Sequence, residues 1–204
     1  MSELVLTTLG VGAANSPRFA PAGLLLKRGP TRIMLDGGPN SEPSGLVDAW
    51  LVTDEHAELM AQIRGLAGMH GLEPHMGDYS DDCLSVRFHP VVHTNHLSGG
   101  YLIRCQGWTV AWAPEFWKFP DWAAGVDVMF AEASGWDRPI RFAGGVGGHM
   151  DALDVAAAAR ARGVRRLIFA HIGRPALKAI DRGETSPFGK FARDGQVFRL
   201  RERA

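Results

Sequence analysis

The sequence of 204 residues has only two cysteines, Cys83 and Cys105, and no long apolar run. Two cysteines exclude a disulfide-dense secreted scaffold, and their spacing excludes a CxxC redox or zinc-ribbon motif. A membrane-spanning helix needs about 20 consecutive apolar residues, and no run approaches that length. The sequence also has no net charge, because its 22 basic residues balance its 22 acidic residues. The chain as a whole therefore has no electrostatic preference for nucleic acid or for anionic membranes.

The length and the N-terminal residues bear on organisation and location. A chain of this size, with 46% hydrophobic residues, fits one globular domain spanning residues 1–204. The first residues, MSELVLTTLG, lack the basic region and apolar core of a signal peptide, which predicts a cytoplasmic protein. We expect a small-molecule substrate as the partner, expect no membrane association and disfavour nucleic acid. Formation of a homo-oligomer is left open.

Short apolar runs separated by glycine and proline predict β-strands. The runs cover residues 4–9, 23–27, 32–36, 46–53, 84–92, 101–105, 109–113, 126–131 and 167–170, with a last edge strand at 196–200. Apolar spacing and capping residues predict helices at 54–68, 151–162 and 174–182. Because so many strands exceed one small open sheet, we expect an α/β fold with two packed sheets inside and helices outside.

Histidines and carboxylates follow five of these predicted strands. In chain order they are Asp54, Glu55, His56 and Glu58, then His93, then Glu115, then Glu132, and finally His171. Loops at strand ends converge in layered α/β folds and commonly form the binding crevice. Metal ions need neutral imidazoles and carboxylates that converge from several segments. The placement therefore indicates a metal site, although each histidine could instead be an ordinary half-buried residue.

Four segments carry a family resemblance over nearly the whole chain. They are TTLGVGAA, RIMLDGGP with Asp36, VVHTNHLSGGYLI with His93, and GGHMDALDVAAAARARGVRRLIFAHIG with His149 and His171. The chain resembles the metallo-β-lactamase-fold hydrolases, in particular the branch of small phosphodiesterases and tRNA 3′-processing enzymes. The resemblance implies a four-layer αββα sandwich of two mixed β-sheets with helices on the outer faces.

The chain departs from that family at its HxHxDH hallmark. The corresponding stretch, residues 54–59, reads DEHAEL, so that only His56 remains a histidine. Glu58 takes the place of the aspartate, and Leu59, which cannot bind a metal, takes the place of the last histidine. The resemblance therefore implies an incomplete site with one divalent ion, Zn²⁺ by preference and Mn²⁺ or Fe²⁺ otherwise. Its expected ligands are Asp54, His56, His93, Glu115 and His171, although Asp54 could instead cap the helix at 54–68.

The implied activity is metal-dependent hydrolysis of a small-molecule phosphodiester, ester or lactone by a metal-activated water. His149 and Glu58 are assigned to catalysis, with His149 handling a proton, and Glu132 to holding a histidine tautomer. Trp117, Trp136 and Arg138 are candidates for substrate binding, although the aromatic residues could be ordinary packing. The degenerate hallmark also leaves an alternative function, in which the chain is a non-catalytic binding module with a degraded metal site.

Overall fold

The computed structural model describes residues 3–202. The strands are β1 (Leu4–Gly10), β2 (Gly23–Arg28), β3 (Thr31–Asp36), β4 (Ala49–Leu51), β5 (Tyr79–Ser80), β6 (Ser85–Pro90), β7 (Gly99–Cys105), β8 (Trp108–Ala113), β9 (Val128–Ala133), β10 (Ile140–Arg141), β11 (Gly148–His149), β12 (Leu167–Ile172), β13 (Lys190–Phe191) and β14 (Gln196–Leu200). The helices are α1 (Met60–Gly68), α2 (Ala152–Ala161) and α3 (Arg174–Asp181).

The strands form two mixed sheets and one small hairpin. The first sheet has the order β14-β1-β2-β3-β4, antiparallel except for the parallel pair β3–β4. The second has the order β13-β12-β9-β8-β7-β6-β5, in which the pairs β13–β12, β12–β9 and β9–β8 are parallel. The antiparallel hairpin β10–β11 stands apart from both sheets.

The main core lies between the two sheets. Burial alternates along β1, as expected for a strand that has one face in the core. The ring of Phe130 on β9 meets the ring of Phe198 on β14 at a centroid distance of 5.2 Å, so the two sheets are in direct contact. A second cluster joins Ile63 of α1 to Met34 and Trp50 of the first sheet, while α2 packs on β9 and β12. The predicted α/β sandwich with outer helices is therefore confirmed.

Several predicted boundaries are confirmed and others are wrong. Helices predicted at 151–162 and 174–182 are present as α2 and α3, and Asp151 caps α2 by accepting a hydrogen bond from the backbone of Asp154. The helix predicted at 54–68 begins only at Met60. The carboxylate of Asp54 accepts a hydrogen bond from the backbone of His56 at 2.7 Å, and this local turn competes with a helix.

Three predicted strands also differ from the structure. The strand expected at 46–53 is reduced to β4, and Leu46 is 71% exposed. The strand expected at 126–131 is shifted to β9, which places Glu132 inside a buried strand instead of after it. The strand expected at 167–170 extends to Ile172 and includes His171.

Within residues 3–202, none of the helices combines the length and the apolar character needed to cross a membrane.

Candidate metal centre

A cleft of about 500 Å³ opens where loops from both sheets meet. Its lining includes six of the histidines and carboxylates that follow predicted strands, together with His96 and His149. The six are Asp54, His56, Glu58, His93, Glu115 and His171. Glu132 lies behind the lining and contacts two of its histidines. The strand ends therefore converge as the sequence predicts.

The carboxylate of Glu115 lies between two imidazoles at the base of the cleft. Its Oε1 is 2.6 Å from Nε2 of His171, and its Oε2 is 3.5 Å from Nε2 of His93. The ring of His149 lies 4.8 Å from the ring of His93 and 5.5 Å from that of His171. We call these four residues and Glu132 the inner cluster.

The Nδ1 atom of each inner histidine has a hydrogen-bonding neighbour. In His93 it donates to the carbonyl oxygen of Gly148 at 2.9 Å, and in His149 it donates to the carboxylate of Glu132 at 2.6 Å. In His171 it lies 2.9 Å from the hydroxyl of Ser134 and 3.5 Å from Glu132. A carbonyl or carboxylate only accepts, so in His93 and His149 these bonds fix a proton on Nδ1 and leave Nε2 for the cleft. In His171 the Ser134 hydroxyl can donate or accept, and the bond orients the ring so that Nε2 faces Glu115.

The inner cluster perturbs the pKa values of its own members. Burial alone would lower the pKa of His171, but the charges and hydrogen bonds of Glu115 and Glu132 outweigh burial and raise it to about 10. Burial would raise the pKa of Glu115, yet the facing His171 and His93 hold it well below its ordinary value. Glu132, fully buried, is held at a pKa of about 2 mainly by His149. In the metal-free cluster, positive charge on the imidazoles therefore compensates the negative charges of Glu115 and Glu132.

Backbone irregularities aim these side chains into the cleft. His171 has a left-handed backbone with φ 60°, and the pairing of β12 with β9 shifts register between Phe169 and Ile172. Such a bulge turns a strand side chain to a new direction. Gly147 approaches so closely that a Cβ there would lie 1.9 Å from the carbonyl oxygen of His93, and Gly148 donates a hydrogen bond to the same oxygen. Only glycine permits this contact between the hairpin and His93.

The carboxylate of Asp36 links two segments that border the cleft by hydrogen bonds. Its carboxylate accepts hydrogen bonds from the backbone and the hydroxyl of Thr53 and, at 2.6 Å, from the indole of Trp112. Burial raises the pKa of Asp36 to about 6, although these hydrogen bonds counteract the effect. One buried carboxylate therefore ties the chain before Asp54 to β8, the strand that leads into Glu115.

A second group of potential ligands lies apart from the inner cluster. Asp54, His56 and His96 offer ligand atoms within 4.8 Å of one another, and we call them the outer cluster. Asp54 is 2.8 Å from Nε2 of His96, while the side chain of His56 is 67% exposed. Among residues 3–202, no group of three within that distance combines His56 with His93 or His171, and none contains both His93 and His171, which are linked through Glu115. The structure places His56 in the outer cluster and does not bring it within that distance of His93 or His171, so a shared ion stays a prediction.

Solved structures resemble this chain over nearly its full length. The metallo-β-lactamase fold protein YhfI from Bacillus subtilis aligns with a TM-score of 0.74 and 16% identity, covering 98% of this chain and 100% of its own. A diphosphatase of the PhnP family aligns with a TM-score of 0.71 and 16% identity, covering 97% and 98%. The chain has the metallo-β-lactamase fold.

Human tRNase Z, short form, has the same fold, with a TM-score of 0.68, 14% identity and coverage of 97% of this chain and 99% of its own. No protein-family model matches the sequence, and no curated protein matches it. The resemblance read from the sequence motifs is therefore confirmed at the level of the fold, whereas the roles of individual residues rest on the geometry of the cleft.

Within the metallo-β-lactamase fold, four predicted site residues besides Asp54 and His56 lie away from the inner cluster. Trp136 is buried and donates a hydrogen bond to Glu184, and Trp117 packs beneath Arg141. Arg138 is exposed, and none of these three lines the cleft. Glu58 is exposed on the cleft lining, but the carboxylate partner of His149 is Glu132. In this structure Trp117 and Trp136 contact other side chains and not the cleft, and a role of theirs in substrate binding stays a prediction.

Three residues of the site were not assigned from the sequence. Ser134 contacts His171, and His96 contacts Asp54. The ring of Phe142 packs edge-to-face with His93 and His149 at centroid distances of 5.3 and 5.2 Å. His96 stands three residues after His93, a spacing that could have indicated a shared site. Phe142 reaches the cleft through two-residue strands, which leave no periodic signal in the sequence.

Proposed function

We propose that this chain is a metal-dependent hydrolase that binds one divalent ion at the inner cluster. The observation that carries the proposal is the fixed orientation of three imidazoles, each with Nδ1 bound behind it and Nε2 left for the cleft. Metal-binding histidines almost always donate their second ring nitrogen to a carbonyl, carboxylate or water in this way. Imidazole and carboxylate donors suit Zn²⁺, with Mn²⁺ or Fe²⁺ as alternatives. Glu115 contacts both His93 and His171, and the ligand atoms of His93, Glu115 and His149 already lie within 4.8 Å of one another.

The inner cluster also divides the expected roles. His93, His171 and Glu115 would hold the ion. When bound, such an ion would lower the pKa of a bound water and polarise a carbonyl or phosphoryl oxygen of the substrate. His149 would move a proton between the attacking water and the leaving group. The carboxylate of Glu132, 2.6 Å from Nδ1 of His149, accepts a hydrogen bond from it and fixes the orientation of the ring. Asp54, His56 and Glu58 would stand nearer the cleft mouth and face incoming substrate.

The substrate would be a small molecule with a phosphodiester, ester or lactone bond. The cleft of about 500 Å³ has the size of a small-molecule pocket. The fold shared with a PhnP-family diphosphatase and with tRNase Z supports hydrolysis as the class of reaction. Cytoplasmic location and any homo-oligomer stay predictions.

Metal analysis of protein purified without chelator tests the proposal. We expect about one equivalent of divalent metal in the wild type, and loss of that metal together with hydrolysis in His93→Ala and His171→Ala. His75→Ala is the matched control, since His75 is exposed and lies outside the cleft, and it should retain both. The proposal is wrong if no added Zn²⁺, Mn²⁺ or Fe²⁺ binds, or if His171→Ala keeps full hydrolysis.

A non-catalytic binding module remains a second candidate, and a specific observation favours it. His56, the one histidine kept from the family hallmark, is separated from the inner cluster, and Leu59 contributes no ligand. A site reduced in this way would still form a pocket. Protein that binds no metal, and turns over no ester or phosphodiester with metal added, would support the module instead of the enzyme.

A further inference from the structure

The wall of the cleft beside the inner cluster is apolar. The ring of Phe142 packs edge-to-face with the rings of both His93 and His149, and Ile140 pairs with His149 across the hairpin β10–β11. Both side chains line the cleft and both remain partly exposed. We call residues 140–149 the flap hairpin. Any group bound at the inner histidines would therefore lie next to two hydrocarbon side chains of the flap hairpin.

The segment that leads into α1 adds further apolar surface. Ala57, Leu59 and Ile63 all contribute to the cleft lining. Leu59 stands where the resemblance predicts a ligand, so the departure from the hallmark replaces a polar group by hydrocarbon. An alkyl group bound in the cleft would gain by leaving water at this surface.

Charge in the cleft disfavours an anionic substrate. Four carboxylates, those of Asp36, Asp54, Glu58 and Glu115, belong to the lining. Arg174 is the one arginine or lysine in the cleft lining, counted over residues 3–202, and its side chain is exposed. Sites that select phosphate groups commonly rely on clusters of arginine or lysine. Here the lining offers a single arginine or lysine against four acids, and the cationic His171 is already paired with Glu115.

We propose that the substrate is a neutral ester or lactone with an apolar acyl group, and that Phe142 and Ile140 select it. This inference rests on the proposed hydrolytic function. The water oxygen would bond to the carbonyl carbon and the bond from that carbon to the alkoxy oxygen would break. The proton lost by water would pass through His149 to the alkoxy oxygen. The flap hairpin would pack against the acyl chain while these bonds change.

Hydrolysis of p-nitrophenyl esters by the zinc-loaded protein tests this specificity. From acetate through butyrate to hexanoate, KM should fall about two- to fourfold for each added methylene, the gain expected for a buried CH₂. Phe142→Ala and Ile140→Ala should flatten this dependence on chain length, while Phe142→Leu should keep part of it. Val146→Ala is the matched control, because Val146 is an exposed apolar residue of the same hairpin that does not line the cleft, and it should keep the wild-type slope.

A charged analogue separates neutral from anionic recognition. The hemiglutarate ester matches the pentanoate ester in length but ends in a carboxylate, and we expect its kcat/KM to be at least tenfold lower. Equal KM values across the alkyl series, or preference for the hemiglutarate, would overturn the inference and point to an anionic substrate held by Arg174.

An unreactive ligand distinguishes failure of this inference from failure of the hydrolase proposal. Calorimetric binding of p-nitrophenyl hexyl ether should weaken at least fivefold in Phe142→Ala and stay unchanged in Val146→Ala. If no ester is hydrolysed but this pattern holds, the enzyme proposal fails and apolar recognition stands. If esters are hydrolysed but ether binding ignores Phe142, the enzyme stands and the apolar inference fails.

Discussion

The charge of Glu115 should be visible in the pH dependence of stability of the metal-free protein. Glu115→Gln keeps the shape of the side chain but removes the negative charge that faces Nε2 of His171 at 2.6 Å and Nε2 of His93 at 3.5 Å. In the wild type the pKa of His171 is raised from 6.5 to about 10. Because the folded protein binds this proton more tightly than the unfolded chain, the stabilisation is complete below about pH 6.5 and declines as the pH rises toward 10.

The size of the effect follows from that shift. One pKa unit corresponds to about 1.4 kcal/mol, so the whole shift would make the wild type lose about 3 kcal/mol from this group between pH 6.5 and 9.5. Glu132 stays 3.5 Å from Nδ1 of His171 and retains part of the shift. We therefore expect Glu115→Gln to remove about 2 kcal/mol of this pH dependence, with burial then lowering the pKa of His171.

Urea unfolding in excess chelator measures this prediction. The gap in unfolding midpoint between wild type and Glu115→Gln should be larger at pH 6.5 than at pH 9.5, by about 1 M if the urea slope is about 2 kcal/mol per M. Glu58→Gln is the matched control, because it removes an exposed carboxylate from the same cleft, and its gap should be small at both pH values. Equal gaps for Glu115→Gln at both pH values would refute the reasoning.

Two glycine substitutions give further predictions with opposite signs. Gly65→Ala, inside α1 with nothing within 4 Å of the added Cβ, should raise the free energy of unfolding by about 0.5–1 kcal/mol, as alanine stabilises a helix interior; an unchanged or lower urea midpoint would contradict this. Gly147→Ala should weaken zinc binding at least tenfold in a competition titration, because its Cβ would lie 1.9 Å from the carbonyl oxygen of His93 and displace that ring. Unchanged zinc affinity in a folded Gly147→Ala protein would show that the flap hairpin does not position His93.

The sheets and two of the helices could be predicted because their signals are local. The strands appear as short apolar runs bounded by glycine and proline, and α2 appears as an alanine-rich segment that starts at Asp151 and ends before Gly163. Strand ends with a histidine or carboxylate also indicated where His93, Glu115 and His171 meet. These positions can be predicted from the order of the strands along the chain, because strand ends converge at one edge in layered folds.

The rest of the site depends on contacts that distant segments make. Residues 54–58 have the acidic composition of a helix start, yet the side chain of Asp54 bonds to the backbone of His56 and sets a turn instead. Trp136 looked like a pocket residue, but its indole binds Glu184, a residue 48 positions later in the chain. Phe142 enters the cleft only because glycines let the flap hairpin close on His93. None of these partners has a periodic or spacing signature in the sequence.

The inner cluster itself argues for a role beyond stability. Two carboxylates and three imidazoles are withdrawn from water there, and Glu132 is fully buried. Removing charges from water costs free energy that their mutual attraction often only offsets, so well-packed apolar residues would stabilise the fold as well or better. In the metal-free protein, protons on the histidines compensate the carboxylates, as the raised pKa of His171 shows. A single divalent ion would compensate the carboxylates in place of several protons. The hydrogen bonds at Nδ1 already orient the three imidazole rings for such an ion.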